Sequence, residues 1–199
     1  MTANESITVR VADALEAGRI PYLLSGSFAS NYYGIPRSTK DADFVVQMPS
    51  AVGREFAQRL GEDLILDPQL SFETNTGTFR QLVRHKKKTF TVELFLLSQD
   101  AHDQCRFQRR LAVPLFERKL WLPSPEDVIV TKLRWARGKD KDDARDVIAV
   151  QRDRLDWAYI EQWCNRHGTL SAMEQLRRSV PEFLRPKAQI NVTVSPNFR

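Results

Sequence analysis

The sequence predicts an α+β fold in which a mixed β-sheet is flanked by helices and followed by a helical C-terminal lobe. Three observations support this prediction. Residues 22–48 show a strand, a short helix and a second strand, residues 70–97 show the pattern of antiparallel strands, and helical spacing dominates from residue 124 onward. The predicted domains are therefore a core of residues 1–123 and a helical lobe of residues 124–199.

The composition is that of a folded protein. The chain has 199 residues, of which 42% are hydrophobic, and this is enough to build a core and to exclude a disordered chain. No segment approaches the roughly 18 apolar residues of a membrane span, and the N-terminus lacks signal-peptide features. We therefore expect a cytoplasmic protein without a membrane partner. The net charge of +5 favours an acidic partner such as RNA or a nucleotide, although many unrelated enzymes share it.

The first part of the chain is predicted to alternate between helices and strands. Apolar residues at helical spacing indicate the helices, and the apolar run Tyr22-Leu23-Leu24 is typical of a short buried strand. A turn at Gly26-Ser27 precedes the second helix, which Gly34-Ile35-Pro36 ends. The predicted elements are a helix over 6–16, a strand over 22–24, a helix over 28–33, a strand over 42–48, and a helix that starts at Pro49-Ser50 and ends near residue 61.

The second part begins with an antiparallel meander. Its predicted strands lie within residues 70–97, with turns at Asn75-Thr76-Gly77 and at 85–88. Residues 100–122 are ambiguous, with strand candidates at 111–115 and 119–122. Four helices should follow over 126–137, with Ser124 as the N-cap, and over 141–151, 156–167 and 171–180. The tail from Pro186 to Arg199 is either an arm or a loose segment.

Two carboxylates indicate the chemistry. Asp41 and Asp43 stand at positions i and i+2 of an extended segment, so their side chains point to the same face and can share a divalent metal ion. The Gly26-Ser27 turn opens a helix and presents backbone N–H groups of the kind that bind phosphate. Together these features predict a site for a metal-bound nucleoside triphosphate.

Glu93 is the candidate for a third carboxylate. It lies in the otherwise apolar strand Phe90-Thr91-Val92-Glu93-Leu94-Phe95, where a buried charge is costly unless a metal ion or another cation compensates it. The pattern allows two orientations. Glu93 either joins Asp41 and Asp43 in a two-metal site or faces solvent.

These motifs resemble a known family. Gly26-Ser27, Arg37-x-Thr39-x-Asp41-x-Asp43 and Glu93 are followed by Pro125-Glu126-Asp127, by Lys132 and by an aspartate-rich segment over 140–146. On these residues, about 5–150 of the chain resembles the minimal nucleotidyltransferases of the DNA polymerase β superfamily. The similarity is greatest to the toxin-type AbiEii and MenT branch, which belongs to type IV toxin–antitoxin systems, and to its uncharacterised relatives.

The resemblance implies a polymerase β-like nucleotidyltransferase fold and an EC 2.7.7 type activity. A nucleoside monophosphate would pass from a triphosphate, ATP included, to an acceptor hydroxyl, with release of pyrophosphate. Gly26 and Ser27 would hold the phosphates, and Asp41 and Asp43 would bind Mg²⁺ or Mn²⁺. Glu93 would complete the second metal site and help to activate the hydroxyl, although many relatives carry aspartate there.

The resemblance also implies roles for the outer residues. Lys132 would direct its ammonium toward the phosphates, and an aspartate of the acidic segment, Asp146, is a further candidate. Arg37 and Thr39 would order the loop before the carboxylates, or Arg37 would contact the nucleotide. Asp127 is better explained as a first-turn residue favoured by the helix dipole than as a catalyst.

The partners are less defined than the site. The toxin-type resemblance favours a tRNA 3′ end as the acceptor and a cognate antitoxin protein as a partner, while a small antibiotic or a protein hydroxyl stays open as acceptor. The basic run over 84–88 is either a solvated hairpin turn or a surface that steers RNA. The alternative function is a non-catalytic module of the same fold that binds a nucleotide or a partner protein.

Overall fold

The computed structural model describes residues 1–49, 51–74 and 76–181, and these form helices around a central sheet. None of the helices in this part is both long enough and apolar enough to cross a membrane. The helices are α1 (Ala3–Ala17), α2 (Gly26–Tyr33), α3 (Arg54–Arg59), α4 (Ala101–Gln108), α5 (Pro125–Trp135), α6 (Gly138–Gln151), α7 (Trp157–Arg166) and α8 (Leu170–Ser179). The strands are β1 (Tyr22–Leu24), β2 (Asp41–Val46), β3 (Leu64–Leu66), β4 (Ser71–Glu73), β5 (Thr78–His85), β6 (Thr91–Leu96), β7 (Leu111–Leu115) and β8 (Arg118–Leu122).

The main sheet is mixed, as predicted. Its strand order is β1-β2-β6-β5-β3, with β4 paired to β5, and β7 and β8 form a separate hairpin. The strands β2 and β6 run parallel, whereas the other pairs in the main sheet are antiparallel. Because β2 and β6 are neighbours, their side chains on one face lie next to each other.

Alternation along β2 divides the core between two faces of the sheet. Ala42, Phe44 and Val46 are buried in the main core, which also contains apolar residues of α1, α5 and α6. Val45 points to the other face, where it joins a small cluster with Leu23, Phe95 and Phe107. Asp41 and Asp43 are on the same face of β2 as Val45. The small apolar cluster therefore lies next to the two carboxylates on that face.

Most predicted elements are confirmed, and the differences have local causes. The helix predicted over 28–33 begins at Gly26, which places Ser27 in its first turn. The helix predicted to start at Pro49-Ser50 begins only at Arg54, and Ser50 lies outside the described residues, as do Asn75 of the predicted turn and the tail from Pro186 to Arg199. The short strand β3 was not predicted. The two strand candidates in the ambiguous segment are present as β7 and β8.

Helix α4 was missed because its buried side includes charged residues. Asp100 caps it by accepting hydrogen bonds from the backbone N–H groups of His102 and Asp103. Arg106 is buried and its Nε donates to Asp103 at 2.8 Å, while His102 is also buried. A pattern that expects apolar residues on the inner face therefore does not detect this helix.

Asp127 connects α4, α5 and α7 in the interior. Its carboxylate accepts hydrogen bonds from the Ser124 hydroxyl at 2.9 Å and the Tyr159 hydroxyl at 2.5 Å, and His102 Nε2 lies 3.2 Å away. Burial alone would raise the pKa of Asp127, but the hydrogen bonds from His102 and Tyr159 outweigh it and lower the pKa. The residue is in the first turn of α5, as expected, and its contacts are those of a structural residue.

Replacing Asp127 with alanine should lower the free energy of unfolding by about 3–5 kcal/mol, because it leaves buried partners unpaired. Urea unfolding followed by circular dichroism measures this loss. Asp142→Ala is the control, since Asp142 is exposed on α6, and it should stay within about 0.5 kcal/mol of the native protein. Equal losses in the two variants would contradict the structural role of Asp127.

Candidate active site

The parallel pairing of β2 with β6 brings three carboxylates together. Asp43 is paired with Glu93 in the register, and Asp41 lies two residues earlier on the same face of β2. All three are partly buried and line one cleft of about 620 Å³. Of the two orientations that the sequence allowed for Glu93, the structure has the one toward the aspartates.

Gly26 permits the turn before α2 to pack directly against Asp43. Its φ of +58° is in the left-handed region, and a Cβ added there would lie 1.9 Å from Asp43 Oδ2. The backbone N–H of Ser25 donates to the carbonyl of Asp43 at 2.7 Å. Since no side chain caps α2, its first-turn N–H groups stay available beside the carboxylates, in the arrangement that suits a phosphate.

The three carboxylates repel one another. Burial and the charges of Asp41 and Glu93 raise the pKa of Asp43 to about 7, against the opposing effect of Lys132 and Lys139. A divalent cation would relieve this repulsion, and carboxylate oxygens are the donors that Mg²⁺ prefers. The carboxylate oxygens of Asp41 and Asp43 therefore suit a magnesium ion, and these two residues would hold it.

Glu93 is held by a protein cation instead. Arg80 Nη1, on the neighbouring strand β5, donates to Glu93 Oε2 at 2.6 Å. Within residues 1–49, 51–74 and 76–181, no group of three or more histidine, cysteine or acidic side chains is arranged to hold a metal ion. The cation that compensates the charge of Glu93 in the apolar strand is thus Arg80 in this structure.

A network of ion pairs lies behind the turn at Gly26 and Ser27. Arg37 donates through Nε and Nη2 to both oxygens of Asp143, at 2.6 and 2.8 Å, and through Nη2 to the Ser27 hydroxyl at 3.0 Å. Lys132 Nζ donates to Asp143 at 2.7 Å and to Asp140 at 3.1 Å. The network fixes the Ser27 hydroxyl relative to α5 and α6, so these helices and the turn are held in one arrangement.

Thr39 orders the start of β2. Its hydroxyl donates to Asp41 Oδ1 at 2.8 Å and lies 3.0 Å from the Asp41 carbonyl oxygen. The contact orients one carboxylate oxygen of Asp41 and leaves the other free. The role of Thr39 in ordering the loop before the carboxylates stays a prediction.

The structure brings most of the predicted site residues together. Ser27, Asp41, Asp43, Glu93 and Lys132 line the cleft, with Gly26 directly behind Asp43 and with Arg37 and Thr39 in the contacts around it.

Asp146, the further candidate from the acidic segment, does not line the cleft. Its carboxylate lies 3.4 Å from Arg145. The aspartates of the same segment that reach Lys132 are Asp140 and Asp143, which follow Lys132 by 8 and 11 residues. The i, i+3 spacing applies to Asp140, Asp143 and Asp146 alike, so spacing along α6 could not show which of them reach Lys132.

The residues of the cleft that were not predicted from the sequence include Arg80, Trp135, Arg137 and Lys139. Arg80 becomes visible as a candidate only once the register of β5 and β6 is known, because it lies diagonally from Glu93 across the hairpin. The other three come from the end of α5 and the start of α6. Trp135 packs beneath cations, with Arg137 at 5.3 Å and Lys132 at 5.7 Å from its ring centre.

Comparisons with known proteins support the fold. No protein-family model and no curated protein sequence matches the chain. Among solved structures, it is similar to the solution structure of the antibiotic-resistance factor ANT(2″)-Ia, with 11% identity, a TM-score of 0.52, and coverage of 87% of this chain and 96% of that one. It is also similar to the crystal structure of ANT(2″)-Ia in complex with adenylyl-2″-tobramycin, with 11% identity, a TM-score of 0.55, and coverage of 87% and 99%. The chain therefore shares its overall fold with ANT(2″)-Ia.

Gly26→Ala should lower the free energy of unfolding by at least about 2 kcal/mol, because the new methyl group is strained at positive φ and collides with Asp43. Urea unfolding measures the loss. Gly138→Ala is the matched control, since a Cβ at that glycine meets nothing within 4 Å. In an Asp43→Ala background the loss from Gly26→Ala should shrink, and an unchanged loss would show that the contact with Asp43 is not the cause.

The carboxylate of Asp143 should make stability depend on pH. Burial would raise its pKa, but hydrogen bonds from Arg37 and Lys132 outweigh burial and lower the pKa from 3.8 to about 2. A lowered pKa stabilises the folded state above the pKa of the unfolded chain, and this contribution is lost as the pH falls toward the folded value. It amounts to about 2 kcal/mol at neutral pH.

We therefore expect the difference in unfolding free energy between the native protein and Asp143→Asn to shrink as the pH falls from about 4 to about 2. Urea unfolding at a series of pH values measures it. Asp142→Asn, on the exposed side of α6, should differ little from the native protein throughout. A difference for Asp143→Asn that does not change with pH would rule out the charged network as its source.

Proposed function

We propose that the protein is a Mg²⁺-dependent nucleotidyltransferase, which transfers a nucleoside monophosphate from a nucleoside triphosphate to an acceptor hydroxyl and releases pyrophosphate. The observation that carries this proposal is the meeting of Asp41, Asp43 and Glu93 on neighbouring parallel strands, with the uncapped start of α2 against Asp43. The nucleotidyltransferase fold supports it as an analogy, because one fold can host several activities.

The turn at Gly26-Ser27 and the two aspartates of β2 would bind the triphosphate. The backbone N–H groups of Gly26 and Ser27 would bind the β- and γ-phosphates, with the Ser27 hydroxyl positioned by Arg37. Asp41 and Asp43 would hold the Mg²⁺ ion that accompanies the triphosphate, and this ion supplies neutralisation of the charge that develops on the phosphates. Lys132 would support the turn through Asp143 and Arg37, and the resemblance assigns it to the phosphates directly.

Glu93 would serve the acceptor. A hydroxyl oxygen of the acceptor attacks the α-phosphorus, its proton passes to the Glu93 carboxylate, and the bond from the α-phosphorus to the bridging oxygen breaks as pyrophosphate leaves. Arg80 holds one oxygen of Glu93 at 2.6 Å and so orients the other. The side chain is close enough to the aspartates for a single acceptor to contact both.

The acceptor can be an RNA or a small molecule, and one observation favours each. The basic run over 84–88 begins with the last two residues of β5. Arg84 is paired there with Thr91, and Thr91 with Asp41, so the run starts two strands away from Asp41 and could contact RNA phosphates. This supports a tRNA 3′ end. The similarity to ANT(2″)-Ia, whose crystal structure contains adenylyl-2″-tobramycin, supports an aminoglycoside-like hydroxyl. The toxin-type branch and a cognate antitoxin stay predictions of the resemblance.

Nucleotidyl transfer is tested with the four α-labelled nucleoside triphosphates and Mg²⁺, offered with total cellular RNA or with a panel of aminoglycosides. The native protein should label one acceptor class. Asp41→Asn with Asp43→Asn should reduce labelling by at least about a thousandfold, because the metal ligands are lost. Chelation of Mg²⁺ should have the same effect.

The matched control is Asp13→Asn with Asp142→Asn, which removes the same charge at two aspartates that do not line the cleft. It should label like the native protein. Labelling that survives in the Asp41 and Asp43 double variant would reject the metal assignment. Native protein that binds the triphosphates with Mg²⁺ but labels nothing would favour the non-catalytic module.

A further inference from the structure

The cleft contains four cationic side chains, and three of them already have carboxylate partners. Arg80 is paired with Glu93, and Arg137 is paired with Asp140. Lys132 is paired with both Asp140 and Asp143 and is only 3% exposed. Lys139 is the exception: it lines the same cleft, is exposed, and forms no hydrogen bond or ion pair with the described residues.

The burial and the two ion pairs of Lys132 oppose a direct contact with substrate. Turning its ammonium toward a phosphate would break two ion pairs in the interior and leave Asp140 and Asp143 without that partner. It would also loosen the network that holds Arg37 and, through it, the Ser27 hydroxyl. A buried lysine with two carboxylate partners is therefore suited to positioning.

The state of Lys139 favours such a contact. Its exposed ammonium can turn to a ligand without breaking an ion pair to a described residue. It is near the carboxylates, because it lines the same cleft as Asp41, Asp43 and Glu93. It also stands in the first turn of α6, which no side chain caps, so uncapped backbone N–H groups lie beside it. Of the groups that the proposed substrates would bring into the cleft, the polyphosphate has the negative charge that pairs with a lysine ammonium.

We propose that Lys139, and not Lys132, provides the ammonium group that contacts the β- and γ-phosphates of the nucleoside triphosphate. Lys132 then acts as a positioning residue that holds Asp143, Arg37 and the Ser27 hydroxyl behind the phosphates. The inference rests on the proposed function, since it concerns the same triphosphate site. It assigns recognition of the polyphosphate tail to the junction of α5 and α6.

The test is calorimetric titration of the full chain with the four α,β-methylene nucleoside triphosphates and Mg²⁺, and with the corresponding monophosphates. Lys139→Gln should weaken binding of the preferred triphosphate analogue by about tenfold, the loss of one charge-assisted contact, and leave monophosphate binding unchanged. Lys139→Arg should restore most of the affinity. Lys141→Gln is the matched control, because Lys141 is an exposed lysine of the same helix that does not line the cleft.

Three results would overturn the inference. The first is that Lys139→Gln binds the triphosphate analogue with native affinity. The second is that Lys139→Gln loses equal affinity for monophosphates and triphosphates. The third is that Lys141→Gln loses as much affinity for the triphosphate analogue as Lys139→Gln does. The melting temperature of Lys139→Gln should equal that of the native protein, which separates lost binding from lost folding.

The native protein tests the proposed function separately. If it binds none of the analogues and transfers no nucleotide, the proposed function fails and this inference fails with it. If it transfers nucleotide while Lys139→Gln binds the triphosphate analogue normally, only the inference about Lys139 fails.

Discussion

The parallel pairing of β2 with β6 is the constraint on which the site depends. It sets Asp43 beside Glu93 and keeps Asp41 on the same face, so three carboxylates share a partly buried surface. Burial, together with the negative charges of Asp41 and Glu93, raises the pKa of Asp43 to about 7. The cationic side chains around the cleft offset this concentration of negative charge.

The cations near the cleft form two layers, which pair with different carboxylates. Arg80 neutralises Glu93 directly from the neighbouring strand. Arg37 and Lys132 instead form ion pairs with Asp143, and Arg37 also donates to the Ser27 hydroxyl in the first turn of α2. The first layer pairs with a carboxylate of the cleft itself. The second layer connects α5 and α6 to α2, so that the two sides of the cleft are held in one arrangement before any substrate binds.

The fold can be kept with little sequence identity because its requirements are patterns and not particular residues. The chain is only 11% identical to ANT(2″)-Ia, yet it covers nearly all of that protein. A buried parallel pair needs alternating apolar residues, and many choices satisfy this. Gly26 is more restricted, since it combines a positive φ with direct contact to Asp43. The site therefore limits the sequence more than the core does.

The sequence by itself determined the strand, turn and helix order up to Val46, the shared face of Asp41 and Asp43, and the strand that carries Glu93. These follow from local periodicity and from glycine and proline positions, which act over a few residues. Only the tertiary structure decided which charges meet. Arg80 pairs with Glu93, Lys132 pairs with Asp140 and Asp143, and Lys139 is left exposed in the cleft, while Asp146 lies outside it. Ion pairs between separate elements depend on register and on helix rotation, and a one-residue change in either alters every partner.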